Sequence, residues 1–238
     1  MARIIFIREA SSKTYSEEVF ALSQFMAEVP YSTLCAVSYF LLWYFLVGFK
    51  NSSSNAGYAC LMIWLVEMFA VTLGQAIAAL SPSSFIASQT NAPLAVTMNL
   101  FCGVTVPQPL MPKFWRYWMY ELNPYTRIIS GLVVNELHDL PVVCKDTEFS
   151  IFQPPAGQTC GQWTRNYINT TGGYIQNPDS TGDCHYCQYA KGDEFFLPLN
   201  YSFSNRWRDL GILALHVFFN FIVMIAAAKF LTMKYAKR

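Results

Sequence analysis

The sequence is poor in charge. Only 13% of its 238 residues are Asp, Glu, Lys or Arg, about half of the roughly 25% found in an ordinary soluble domain. The net charge is +1, so there is no basic face for nucleic acid, and no nucleic-acid partner is expected. A disordered composition is excluded, because Phe, Tyr and Trp number 19, 14 and 6. Met1-Ala2-Arg3-Ile4-Ile5-Phe6-Ile7-Arg8-Glu9 is too short and too charged for the apolar region of a signal peptide, and none is expected from it. Delivery to a membrane then falls to an internal span or to sequence upstream of Met1. There is no G-x-x-x-x-G-K-[ST] phosphate loop, no H-E-x-x-H pattern, no Ser-His-Asp grouping and no paired catalytic carboxylates. Catalytic, cofactor and metal sites are therefore not expected on this chain.

What is present is hydrophobic: 53% of the residues. Tyr31 to Phe49 is an uncharged run of about 19 residues, enough to cross a hydrocarbon core at about 1.5 Å per residue. Ala59 to Leu80 and Leu210 to Leu231 are about 22 residues each. The first of these holds Glu67 and Gln75, the second His216, Asn220 and Lys229. A fourth run, Ala92 to Val106, is short for a crossing. Extended back to Phe85 it reaches about 22 residues but takes in Ser88, Gln89, Thr90, Asn91 and Pro93. It is read as a spanning helix with one hydrated half, tolerated where it faces protein or a wet cavity.

Four crossings put both termini on one side. Both flanks are basic, with Arg3, Arg8 and Lys13 at one end and Lys229, Lys234, Lys237 and Arg238 at the other. The positive-inside rule makes that side cytoplasmic, and the long segment 107–209 then lies outside. Its first part, Lys113 to Leu140, is aromatic and amphipathic and reads as a helix–turn–helix dipping into the outer interface, broken at Asn123-Pro124. From Pro141 to Asn200 the chain turns polar, with Pro154-Pro155, Gly172-Gly173 and Asn177-Pro178 marking a turn-rich lobe.

The seven cysteines divide along the same line. Cys35, Cys60 and Cys102 lie in or beside apolar runs. Cys144, Cys160, Cys184 and Cys187 lie in the lobe, where two disulfides are expected. Of three connectivities, Cys144–Cys187 around Cys160–Cys184 is favoured because it closes the longer loops. A zinc site at Cys184-His185-Tyr186-Cys187 is the rival, weakened by the lack of a second CxxC. Sequons at Asn51, Asn169 and Asn200 all fall on the outer side, and Asn169, farthest from a membrane boundary, is the preferred glycosylation site.

Several strings occur together in order. Arg8-Glu9-x-x-Ser12-x-x-Tyr15-Ser16 leads a helix, Phe101-Cys102-Gly103-Val104 follows, then Pro112-x-Phe114-Trp115 and Tyr120-x-x-Asn123-Pro124-Tyr125-Thr126-Arg127. The lobe adds Gly172-Gly173-Tyr174, Cys184-x-Tyr186-Cys187 and Gly192-Asp193. Over essentially the whole chain this resembles the C-terminal membrane domain of fungal pleiotropic-drug-resistance ABC transporters, relatives of the G subfamily. The resemblance implies a mainly α fold: a partial ABC-2/G-type polytopic helical bundle with a disulfide-rich extracellular loop. It implies a coupling and juxtamembrane helix over 1–28 and three membrane helices over 29–106. Re-entrant helices would cover 107–140, the lobe 141–209, the last span 210–231 and a cytoplasmic tail 232–238. Arg8, Glu9 and Tyr15 would dock on a nucleotide-binding domain. Val104 and Thr105 would form a gate, with Asn99 and Glu67 on the substrate path. The bland reading of Glu67 is a neutral, hydrogen-bonded structural residue, since charge at mid-span costs about 2.5–3.5 kcal/mol on insertion scales.

The function implied is the membrane part of an ATP-driven exporter of hydrophobic or amphipathic compounds such as drugs, sterols or lipids, in the plasma membrane. ATP and Mg would act on nucleotide-binding domains outside this chain. The partners would be the lipid bilayer, those domains, the other membrane half and apolar small molecules. The alternative is a non-transporting glycosylated receptor or structural subunit, or an inactive truncated product.

Overall fold

The computed structural model describes residues 16–49 and 52–236, the last six by their backbone alone. These fall into two compact units, one of residues up to Leu132 and from Asn205 onward, the other of Val133–Ser204.

The first unit is helical. α1 spans Glu17–Val47. It starts where the Ser16 hydroxyl accepts the Val19 N–H, carries Glu17 and Glu18 in its first turn, and stops at Gly48 with φ 77°. That is a capped, dipole-matched start and a left-handed glycine end. Pro30 lies inside the helix without ending it. The carbonyl left without its helical donor is that of Met26, one turn before the proline, a loss that a membrane helix tolerates; nearby, the Thr33 hydroxyl donates to the Val29 carbonyl at 2.7 Å. The described part of the juxtamembrane segment and the first span are therefore one helix, with no break at 28/29.

α2 spans Ser53–Leu80, and the C-terminal helix, α7, spans Arg206–Ala236. Three helical stretches, Glu17–Val47, Ser53–Leu80 and Phe203–Phe230, are long and apolar enough to cross a membrane. Ala36, Phe40 and Tyr44 of α1 pack on Ala59 and Ile63 of α2. Tyr58, Met62, Leu65 and Phe69, on α2, surround Leu213 of α7. Polar side chains cross the same seams. Trp64 Nε1 donates to Thr33 Oγ1 at 3.0 Å, Gln75 Nε2 to the Gln24 carbonyl at 3.2 Å, and Asn220 Nδ2 to Thr72 Oγ1 at 3.4 Å. Away from the seams, Leu34, Leu46, Leu215, Phe218 and Phe219 stand exposed, an apolar girdle far beyond what a water-facing monomer presents.

α3 departs from the sequence reading. It covers Ser84–Leu100, 17 residues, none of them buried within the chain. The helix expected to run to Val106 stops six residues earlier, and α3 is not among the three span-length helices. The cause is local: Gly103 adopts φ 99°, a left-handed conformation that a helix cannot pass through and that glycine takes without cost. Beyond the bend come a turn at Gln108–Leu110, helical turns at Lys113–Trp115 and Arg116–Tyr120, and α4, Pro124–Leu137. Asn123 Oδ1 accepts the Tyr125 N–H at 3.0 Å, so Asn-Pro acts as cap and first helical residue together. The expected helix–turn–helix break falls there.

The second unit is a small α+β lobe. β1 (Ser150–Phe152), β2 (Tyr174–Ile175) and β3 (Cys184–Cys187) form an antiparallel sheet in the order β1-β3-β2. α5 (Cys160–Thr171) opens on a Thr159/Gln162 capping box. α6 is the single turn Asp193–Phe196. Cys144 is bonded to Cys187 and Cys160 to Cys184, so the Cys184–Cys187 pair is split between two bridges and no thiolate is left for zinc. At Gly173 (φ 85°) a Cβ would collide with the Cys187 carbonyl oxygen, so only glycine fits between α5 and β3.

Candidate functional site

The bend at 101–106 and the helical turns that follow form one connected patch of the first unit. Phe101 stacks on Trp115, centroids 5.3 Å apart. Asn123 Nδ2 donates to the Met98 carbonyl at 2.6 Å, fixing the end of α3 to the start of α4. Arg116 Nη2 donates to the carbonyls of Gln108 and Pro109 at 3.0 and 3.2 Å. Within this frame Asn99, Val104 and Thr105 are all exposed, so the bend presents side chains rather than burying them. Val104 and Thr105 sit past the end of a helix, on backbone bent by the neighbouring glycine. Glu67 lies half-buried on α2. Among the described residues it has no hydrogen bond or ion pair, and none joins it to Asn99, Val104 or Thr105. Thr90 turns its hydroxyl onto the Ile86 carbonyl at 2.9 Å. Arg8 and Glu9 of the expected docking segment, and Tyr15 with them, lie outside the described residues.

The sequence reading missed a buried ion cluster beside this patch. Arg127 of α4 donates through Nη2 to Glu121 Oε2 at 2.8 Å and to the Glu121 carbonyl at 3.0 Å. Its Nη1 lies 3.5 Å from Asp209 Oδ1, in the first turn of α7. Arg208 reaches the same oxygen at 3.1 Å. The side chains of Asp209 and Arg127 are only 1% and 12% exposed, against 42% for Glu121 and 54% for Arg208. Asp209 Oδ2, Arg127 Nε and Thr126 Oγ1 are buried without a hydrogen-bond partner. Charges so placed persist because they are paired, and the cluster has two of each sign. His216 of α7 faces the carbonyls of Ile212 and Leu122 at 2.8 and 3.1 Å. It braces α7 against the turn before α4, although a neutral ring donates to only one of them at a time.

The lobe holds a second group without a sequence signal. His138 Nδ1 lies 2.7 Å from Asp193 Oδ1, its Nε2 lies 3.6 Å from Asp139 Oδ2, and its ring stacks on Phe203 at 3.9 Å. Burial on its own would raise the Asp193 carboxyl. The hydrogen bond from His138, the Asp139 N–H at 2.8 Å and the His138 charge outweigh it and hold the group below its ordinary value of 3.8. The ligand atoms of His138, Asp139 and Asp193 lie within 4.8 Å of one another. Lys191 already stands 3.7 Å from Asp139, so the charges of this group are balanced by protein. His185, between two disulfide cysteines, lies 3.2 Å from Gln176 Oε1. Asn169 is exposed on α5, with Thr170 and Thr171 bonded to the carbonyls of Asn166 and Tyr167.

Residues 1–137 match the family of ABC-2 type transporter membrane domains, and residues 180–238 match the CDR ABC transporter family. The chain is 48% identical over 97% of its length to ABC multidrug transporter I of Aspergillus fumigatus. It is 39% identical over 94% to the ABC transporter patM of Penicillium expansum, and 34% identical over 98% to the brefeldin A resistance protein of Schizosaccharomyces pombe. It spans 16% of the length of each of these relatives. With its helical bundle, its disulfide-bonded lobe and these two matches, the chain belongs to the ABC-2 type transporter family, as a membrane-domain segment of the fungal pleiotropic-drug-resistance kind.

Proposed function

We propose that this chain is part of the translocation pathway of an ATP-driven exporter of hydrophobic or amphipathic compounds, among them drugs, sterols or lipids. The observation that carries it is the pairing of three span-length apolar helices with an exposed, glycine-hinged bend at Val104 and Thr105. An apolar pathway with few fixed charges suits cargo that partitions into lipid. The multidrug transporter and the resistance protein named among the relatives support the same reading. The chain has no phosphate loop with which to hold ATP and Mg, so hydrolysis belongs to nucleotide-binding domains carried elsewhere. Arg8, Glu9 and Tyr15 would couple to those domains, and the second membrane half would complete the pathway with Asn99 and Glu67 on its wall.

At 17 residues α3 is at the short end of what a crossing needs; taken as the fourth crossing, it leaves both termini in the cytoplasm and the lobe outside the plasma membrane, a compartment that suits two disulfides and a glycan on Asn169. Replacing Val104 and Thr105 together by alanine in the complete transporter is expected to change efflux severalfold for at least some compounds. ATP hydrolysis should change less. Efflux of every tested compound at the parental rate would remove the gate from this bend.

A further inference from the structure

α5 is a polar helix that leaves two large rings in the open. Trp163 is 51% exposed and Tyr167 55%, and four residues apart they lie on one face, a turn from each other. That face borders an open groove of about 1180 Å³ in the lobe, flanked by Phe152, Gln188 and Tyr189 among others. Its walls are braced. Tyr186 packs edge-on to Tyr167 at 5.5 Å and donates its hydroxyl to the Gly172 carbonyl at 2.9 Å. Gln188 Nε2 bonds the Tyr189 hydroxyl at 3.2 Å. The Cys160–Cys184 bridge and the capping box pin the start of the helix.

The lining chemistry selects the ligand. No Lys, Arg or Asp borders the groove, and its one carboxylate, Glu194, is committed through Oε2 to the backbone N–H groups of Gly173 and Ala190 at 2.9 and 2.8 Å. An anion would find no counter-charge, and a cation only a carboxylate whose Oε2 already accepts two backbone N–H groups. A wholly apolar one would bury the Asn166 and Gln188 amides without partners, at a cost. Flat ring faces beside neutral amides and hydroxyls match a molecule with C–H faces and a hydroxyl rim. We propose that this groove binds a neutral oligosaccharide, its pyranose rings stacked on Trp163 and Tyr167 and its hydroxyls bonded to Asn166 and Gln188. The site is separate from the transport reading. A glycan on Asn169 would not fill it, because two residues beyond Tyr167 the helix has turned about 200° away.

The test uses the full chain in a detergent without a sugar headgroup, titrated with laminarihexaose and with chitohexaose and followed by saturation-transfer NMR. Saturable binding of at least one hexasaccharide is expected. W163A and Y167A should each weaken it about tenfold, the loss of one ring's stacking. R165A, on the far face of α5, should leave it unchanged. Non-reducing mass measurement of both disulfides establishes that the variants are folded. Absence of saturable binding of either sugar up to about 10 mM overturns the proposal. So does binding that W163A and Y167A leave intact.

Discussion

Removing the Asp209 carboxylate tests whether the buried ion cluster holds the first unit together. Asp209 is the most deeply buried charge of the four, and Arg127 reaches it from α4. In D209A, Arg127 remains buried with only Glu121 at 2.8 Å to face it. Breaking a buried pair by deleting one partner costs about 3–5 kcal/mol. Because Glu121 keeps part of the compensation, the expected loss lies at the lower end, about 3 kcal/mol. R208A is the contrast: its guanidinium is 54% exposed, so its loss should be about 1 kcal/mol or less. The double variant R127M/D209L removes both charges and should recover much of the D209A loss, a coupling of about 0.5–3 kcal/mol. The assay is unfolding of the purified chain in mixed micelles with increasing SDS, read by tryptophan fluorescence. If D209A unfolds within about 0.5 kcal/mol of the parent, or no more easily than R208A, the pairing does not carry the weight given to it.

At Gly131 of α4 an added Cβ would lie 2.5 Å from both Met62 Cε and the Tyr58 hydroxyl. Met62 can swing away, but Tyr58 is held by its bond to the Arg206 carbonyl at 2.8 Å. G131A should therefore cost about 1–3 kcal/mol in the same assay, and G131A combined with Y58F should cost less than the sum of the two. In the lobe, Asp193 is depressed below 3.8 by its partners, so its pairing with His138 stabilises at pH above that value and is lost as the pH falls through the lower, folded value. The carboxyl is partly exposed, so the effect is about 1 kcal/mol or less. D193N should flatten the acid limb of the lobe's thermal stability, and an unchanged acid limb would show that the pair does not titrate with folding.

The three long helices were legible because lipid-facing and core-facing residues are both apolar, which makes Tyr31 to Phe49, Ala59 to Leu80 and Leu210 to Leu231 continuous runs. The same property hid their faces: nothing in composition separates buried Leu213 from exposed Leu215. The reach of α1 through Pro30 was hidden because proline reads as a break, although a membrane helix tolerates it. The early end of α3 did have a signal, since Gly103 stands inside the run assigned to it, close to its end. The site was less visible. Arg127 and Asp209 are 82 positions apart in the sequence, and His138 and Asp193 are 55 apart. Each looks like an ordinary surface charge until the fold brings its partner. Asp209 had the better clue, a carboxylate just after Arg206 and Arg208 at the threshold of an apolar run.

The order of the helices along the chain sets a schedule for making it. The inner face of α2, with Met62, Phe69 and Thr72, packs on Leu213 and Asn220 of α7, residues made late in the chain. The ribosome must deliver the lobe first. At roughly 5–20 residues per second, the stretch between Leu80 and Leu213 takes about seven to twenty-seven seconds to synthesise. Through that interval α2 stands in the bilayer with its Thr72 hydroxyl lacking Asn220, a window in which a chaperone of the insertion machinery or another helix of the growing protein has access to the seam.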